Sequence, residues 1–190
     1  MGTRGSVGFR ADQQDFLTYN HFDSYPDGLG ADTVKFVQTY PGTLENMREK
    51  VKALRPVKAQ DTPSHEEWAQ YKHLWQEVST GSDWYSLLRS LQGDLDATLE
   101  AGIMITENTF VHNSLFCEWA YIINVDTLEL EVYEGFNKDP KADGRYAQFG
   151  DRDEYAGVRL LACYPLDQIK TMAVEDWVAD VNRRSEKLAA

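Results

Sequence analysis

The sequence predicts an α+β domain, a largely antiparallel sheet built from N-terminal and C-terminal hairpins and covered by the middle helices. Three observations carry this. Apolar and polar residues alternate at both ends of the chain, apolar residues recur at helical spacing between them, and 190 residues with 42% hydrophobic side chains suit a single core.

The segments SVGFR and FLTYNHF flank the polar ADQQD and read as the first hairpin. Val7 and Phe9 share one face of its first strand. On the second strand Leu17, Tyr19 and His21 share one face, and Phe16, Thr18, Asn20 and Phe22 take the other. SYPDGLG is a turn, in which Pro26 fixes its own backbone and Gly28 and Gly30 are suited to positive φ. The helix ADTVKFVQTY follows and ends at Pro41-Gly42, and Thr43 caps a second helix, TLENMREKVKAL. VKAQDTPS is a loop; HEEWAQYKHLWQEV and DWYSLLRSLQGDLDATLEAG are two further helices separated by STGS.

From Ile103 the period changes to two. WAYIINV and LELEVYE reverse at Asp126-Thr127, with Leu128, Leu130 and Val132 on one side and Glu129 and Glu131 on the other. Residues 137–155 are a long polar stretch without periodicity, expected to be more mobile than the sheet and a candidate lid if it covers the His21 cleft. VRLLACYPL is the last strand, and VEDWVADVNRR an amphipathic closing helix.

The net charge of -12 excludes a phosphate-backbone binder, so no nucleic acid partner is expected. No apolar run is long enough for a membrane span and the opening residues lack a signal-peptide core, so a cytoplasmic protein with no membrane partner is expected. Cys117 and Cys163 both sit in apolar segments and read as two buried thiols. No cofactor or metal is called for. HEEWA lacks the second histidine of a zinc helix, and DGLGADT lacks both the lysine of a phosphate loop and the full dinucleotide spacing.

What remains is a constellation. Arg4, His21, Asp23 and Tyr25 come from the ends of the first hairpin, and His112 and Glu118 from a later strand region that can neighbour it. A histidine beside a carboxylate forms an acid–base pair, and an arginine fork holds an anion. The expected function is therefore binding of a small polar or anionic, nucleotide-like ligand beside the first strand–helix junction, with hydrolysis by His21 and Asp23. Arg4, Tyr25, His112 and Glu118 would bind it.

The alternative is an acidic interaction module. No lysine or arginine occurs from Ser90 through Glu134, and Asp94, Asp96, Glu129, Glu131 and Glu134 would form a face for a basic protein partner.

The segments MGTRG, YNHFDSYPDGLG and CEWAYIINVDTLELEVYEGF resemble uncharacterised bacterial and bacteriophage proteins. This resemblance implies a setting rather than a reaction; under the alternative it implies a phage-encoded inhibitor of a host protein. The opening is also faintly similar to N-terminal-nucleophile hydrolases. There the first residue of the processed chain is the nucleophile, whereas position 2 here is glycine and Thr3 would serve only after trimming. That similarity implies a shared fold without the amidase chemistry.

Overall fold

A computed structural model describes residues 2–76, 81–150 and 154–189. β1 (Gly5–Ala11) and β2 (Gln14–Asn20) form the expected antiparallel hairpin. Its two turn residues, Asp12 (φ 48°) and Gln13 (φ 63°), both take the left-handed conformation that a tight hairpin turn requires and that non-glycine residues resist. The Asp126 carboxylate holds them there by accepting from their main-chain N–H groups at 2.9 and 3.0 Å. Those two bonds, that from Gln13 foremost, lower the Asp126 pKa.

β5 (Trp119–Asn124), β6 (Glu129–Glu134) and β7 (Arg159–Pro165) complete a sheet of order β2-β1-β5-β6-β7. Only the β1–β5 pairing is parallel, where the two hairpins join, so the sheet is largely antiparallel. β3 (Arg55–Val57) and β4 (Ile103–Ile105) form a separate parallel ribbon that the sequence does not reveal, because three-residue strands are too short to display alternation.

The first sheet face, carrying Val7, Phe9, Tyr121, Ile123 and Val132, packs beneath α1 (Ala31–Thr39), α2 (Leu44–Lys52), α5 (Leu95–Ala101), α6 (Leu166–Ile169) and α7 (Val174–Ala189). Thr43 caps α2 as expected, its hydroxyl accepting from Asn46 N–H. α3 (His65–Tyr71) and α4 (Trp84–Leu88) close instead over β3 and β4, where Trp84, Leu87 and Leu88 fill a second core. Ser64 and Glu67 make a reciprocal capping box at the start of α3. The expected end of this helix and the start of STGS, residues 77–80, lie outside the described residues. The long helix expected from Asp83 is broken into α4 and α5, because Gly93 takes φ 80° between them and Asp94 restarts the chain as an N-cap.

The second sheet face, with Leu17, Ala120, Ile122 and Tyr133, lies beneath the loop that follows β6. Tyr146 and Ala147 of that loop are buried. Its described residues therefore pack on the sheet and none lines the His21 cleft, so the condition for a lid is not met.

The exposed edge of β2 is closed by a side chain. Asn108 accepts from Leu17 N–H at 2.9 Å and donates to the Asp15 carbonyl at 2.7 Å, and Glu107 N–H donates to the Leu17 carbonyl at 2.7 Å. This substitutes for a neighbouring strand. Asn108→Ala should cost about 2 kcal/mol in urea unfolding by leaving two strand groups unpaired; an unchanged midpoint would mean that water replaces the amide.

Candidate functional site

The chain leaves β2 at Asn20 and turns immediately. Asp23 takes φ 52°, and Ser24 is buried, accepting at its hydroxyl from the Asn20 amide at 2.9 Å and at its carbonyl from the Tyr121 hydroxyl at 3.0 Å. The wound turn Pro26–Gly30 then feeds α1. Neither of its glycines uses positive φ, contrary to expectation: Gly28 has φ -102° and Gly30 φ -61°. Close approach is what requires them. A β-carbon on Gly28 would lie 2.2 Å from the Asp23 carbonyl oxygen, and one on Gly30 would lie 2.9 Å from both Trp177 and Tyr121. The N–H groups of Gly28 and Gly30 donate to the Tyr25 carbonyl and that of Leu29 to the Asp23 carbonyl. With those donors spent, the turn is no anion cradle.

Two adjoining clefts open beside this junction. The first, of about 580 Å³, is lined by Tyr19, His21, Phe22, Tyr85 and Arg89 with the amides of Asn20 and Gln92. The second, of about 620 Å³, shares Asn20, Phe22 and Gln92 but is walled by Asp23, Asp32, Asp94 and Asp96 against the single cation of Lys35. Each is of ligand size.

In the first cleft the Tyr19 hydroxyl and His21 Nδ1 are 2.5 Å apart, and the Tyr19 ring packs edge-on against Phe110 at 4.9 Å. Partial burial raises the Tyr19 pKa; the Arg4 charge opposes this and Tyr85 adds to it. Tyr19 is thus a neutral hydroxyl in hydrogen-bond contact with His21 Nδ1, which leaves Nε2 as the ring nitrogen that does not face Tyr19. The Arg89 guanidinium lies 5.7 Å from the centre of the Tyr85 ring, and among the described residues no carboxylate pairs with it.

The sequence-selected residues are only partly brought together. His21 lines the first cleft and Asp23 the second, so His21 has Tyr19 rather than Asp23 as its partner. Arg4 lies over the Phe116 ring at 4.7 Å, near Tyr19, and its main-chain N–H donates to Glu118 at 3.3 Å. The later strand region therefore does neighbour the hairpin through Glu118. Tyr25 is exposed and serves the turn through its carbonyl. His112 is elsewhere, stacked on Phe149 at 4.1 Å, with a pKa lowered by burial although Asp15 opposes the shift. Tyr19, Tyr85 and Arg89 were not selected. The spacing of Tyr19 and His21 on one strand face, and of Tyr85 and Arg89 four apart along a helical stretch, is the signal that points to them.

The acidic surface does not form as expected. Glu131 is only 6% exposed, Glu134 is bonded to Arg159 and Ser185, and Asp94 and Asp96 belong to the second cleft. Glu131 instead anchors a network on the second sheet face. Arg145 pairs with it at 2.6 Å and donates to the Tyr133 hydroxyl, which in turn donates to Glu131 at 3.0 Å. Asn124 donates to the other carboxylate oxygen at 2.7 Å, while Asp15 joins Arg10 at 2.6 Å and accepts from Tyr146 at 2.8 Å. Burial, with Glu131 and Asp15 alongside, pushes Tyr133 and Tyr146 well above their ordinary range, so both remain donors.

Cys117 is buried but Cys163 is exposed, which corrects the reading of two buried thiols. Partial burial of its sulfur, with Glu129 and Glu131 nearby, pushes the Cys163 thiol up to about 11. A thiol reagent should modify one cysteine per native chain, slowly at pH 7 and faster as pH rises toward 11. Rapid modification at neutral pH, or of both cysteines, would contradict this.

Among the described residues no helix is long and apolar enough to cross a membrane, and no group of three His, Cys, Asp or Glu side chains is placed to hold a metal ion. The fold and clefts define an α+β protein with a two-chambered, ligand-sized depression at its first strand–helix junction. Comparison with protein-family models, curated proteins and solved structures finds no match to this chain.

Proposed function

We propose that this protein binds a small polar ligand bearing an anionic group in the His21 cleft. One observation carries the reading: Tyr19, His21, Tyr85 and Arg89 converge on a single depression of about 580 Å³. Arg89 takes the anion-holding role that the sequence suggested for Arg4, and Tyr19 the orienting role suggested for Asp23. The His21 imidazole and the Arg89 guanidinium both line the cleft and supply N–H donors to an anion. Binding rather than hydrolysis is proposed, because the histidine–aspartate pair on which hydrolysis rested is divided between two clefts.

The test is mass spectrometry of small molecules that copurify with the native protein and with Arg89→Gln and His21→Ala. An anionic compound retained by the native chain and depleted from both variants is the expected result. Equal retention by all three proteins would place the ligand elsewhere.

A further inference from the structure

Resting on that reading, we infer that the ligand of the His21 cleft is a planar ring carrying a single phosphate, the chemistry of a nucleoside monophosphate. The ring side follows from the cleft walls. Phe22 and Tyr85 are 61% and 38% exposed and line the same depression. Aromatic faces left open to water offer stacking to a flat heterocycle without demanding a particular base. Beside them Asn20 and Gln92 line both chambers; the Asn20 N–H groups are bonded to the Phe22 carbonyl and the Ser24 hydroxyl, so its amide oxygen is an acceptor, and the Gln92 amide supplies donor and acceptor for ring heteroatoms or sugar hydroxyls.

The anion side follows from Arg89 and His21, and its limit follows from what surrounds them. A planar guanidinium and one imidazole N–H suit one phosphate. A longer phosphate chain extending past Asn20 and Gln92 meets the chamber of Asp23, Asp32, Asp94 and Asp96, in which Lys35 is the one lining cation. Repulsion by these carboxylates disfavours each added phosphate. The Pro26–Gly30 turn gives no relief, since the N–H groups that would cradle a polyphosphate are bonded within the turn. Charge and shape together therefore select one phosphate with a ring, over several phosphates or none.

Calorimetric titration of the full chain with adenosine 5′-monophosphate, adenosine 5′-triphosphate, adenosine and inorganic phosphate tests this. The monophosphate should bind at least about tenfold more tightly than each of the other three. Arg89→Gln should erase its advantage over adenosine, and Tyr85→Leu should weaken the monophosphate while leaving inorganic phosphate unchanged. Equal or tighter binding of the triphosphate, or inorganic phosphate binding as well as the monophosphate, would overturn the inference. If none of the four binds but another small anion shifts the His21 nuclear magnetic resonance signals, the class is wrong and the cleft stands. If no small anion moves His21, both the class and the cleft reading fall.

Discussion

Arg145→Met should lower folding stability by about 3–5 kcal/mol, because it strands Glu131 as an uncompensated buried carboxylate. Glu131 would keep Asn124 and Tyr133 as donors but lose the only cation that pairs with it among the described residues. The double variant Glu131→Leu/Arg145→Met should recover part of the loss, since it removes both charges together. Denaturant unfolding of the two single variants and the double variant measures this coupling. A loss below about 1 kcal/mol for Arg145→Met would show that the pair behaves like a solvated surface bridge.

Trp177→Ala should cost a similar amount, about 3–5 kcal/mol, by emptying the centre of the aromatic stack that supports the ligand cleft. Trp177 is fully buried, with Tyr121 and Tyr164 ring centres at 6.1 and 5.9 Å and Gly30 against its ring edge. Its indole N–H has no hydrogen-bond partner among the described residues, so the loss is one of packing rather than of a hydrogen bond. Through Gly30 and Tyr121 the same stack holds the turn from Ser24 to Gly30 that borders both clefts. Hydrogen exchange at the Leu29 and Gly30 amides should accelerate in Trp177→Ala along with the global loss. Exchange at those amides as slow as in the native protein, measured where local opening dominates, would separate the turn from α7.

The first hairpin was legible because period-two alternation sorts side chains by face wherever both faces are covered. Val7 and Phe9 went to one core, and Leu17 to the other, as the pattern required. The same rule correctly set Glu129 and Glu131 off the main core but carried no information about what covers that second face. Arg145, which pairs with Glu131, and Tyr146, which packs on Tyr133, come from a stretch without period. The break between α4 and α5 was hidden for a related reason: Leu87, Leu88, Leu91 and Leu95 keep helical spacing across it, while one glycine turns the backbone. At the site, the sequence located the junction and His21 but could not choose the partner of His21. A residue two positions earlier on the same strand face, Tyr19, outcompetes Asp23, which is itself a left-handed turn residue, and only the path of the chain after Asn20 decides between them.

Side-chain nuclear magnetic resonance of the four histidines during titration with adenosine 5′-monophosphate tests the central claim most directly. A phosphate held against the imidazole alters its surroundings, so the His21 signals should shift in a saturable way as ligand is added. His65, His73 and His112, all outside the cleft, should remain unchanged, and Arg89→Gln should abolish the His21 response. Saturable binding that leaves His21 unmoved, or that shifts His112 instead, would contradict a ligand site at the first strand–helix junction.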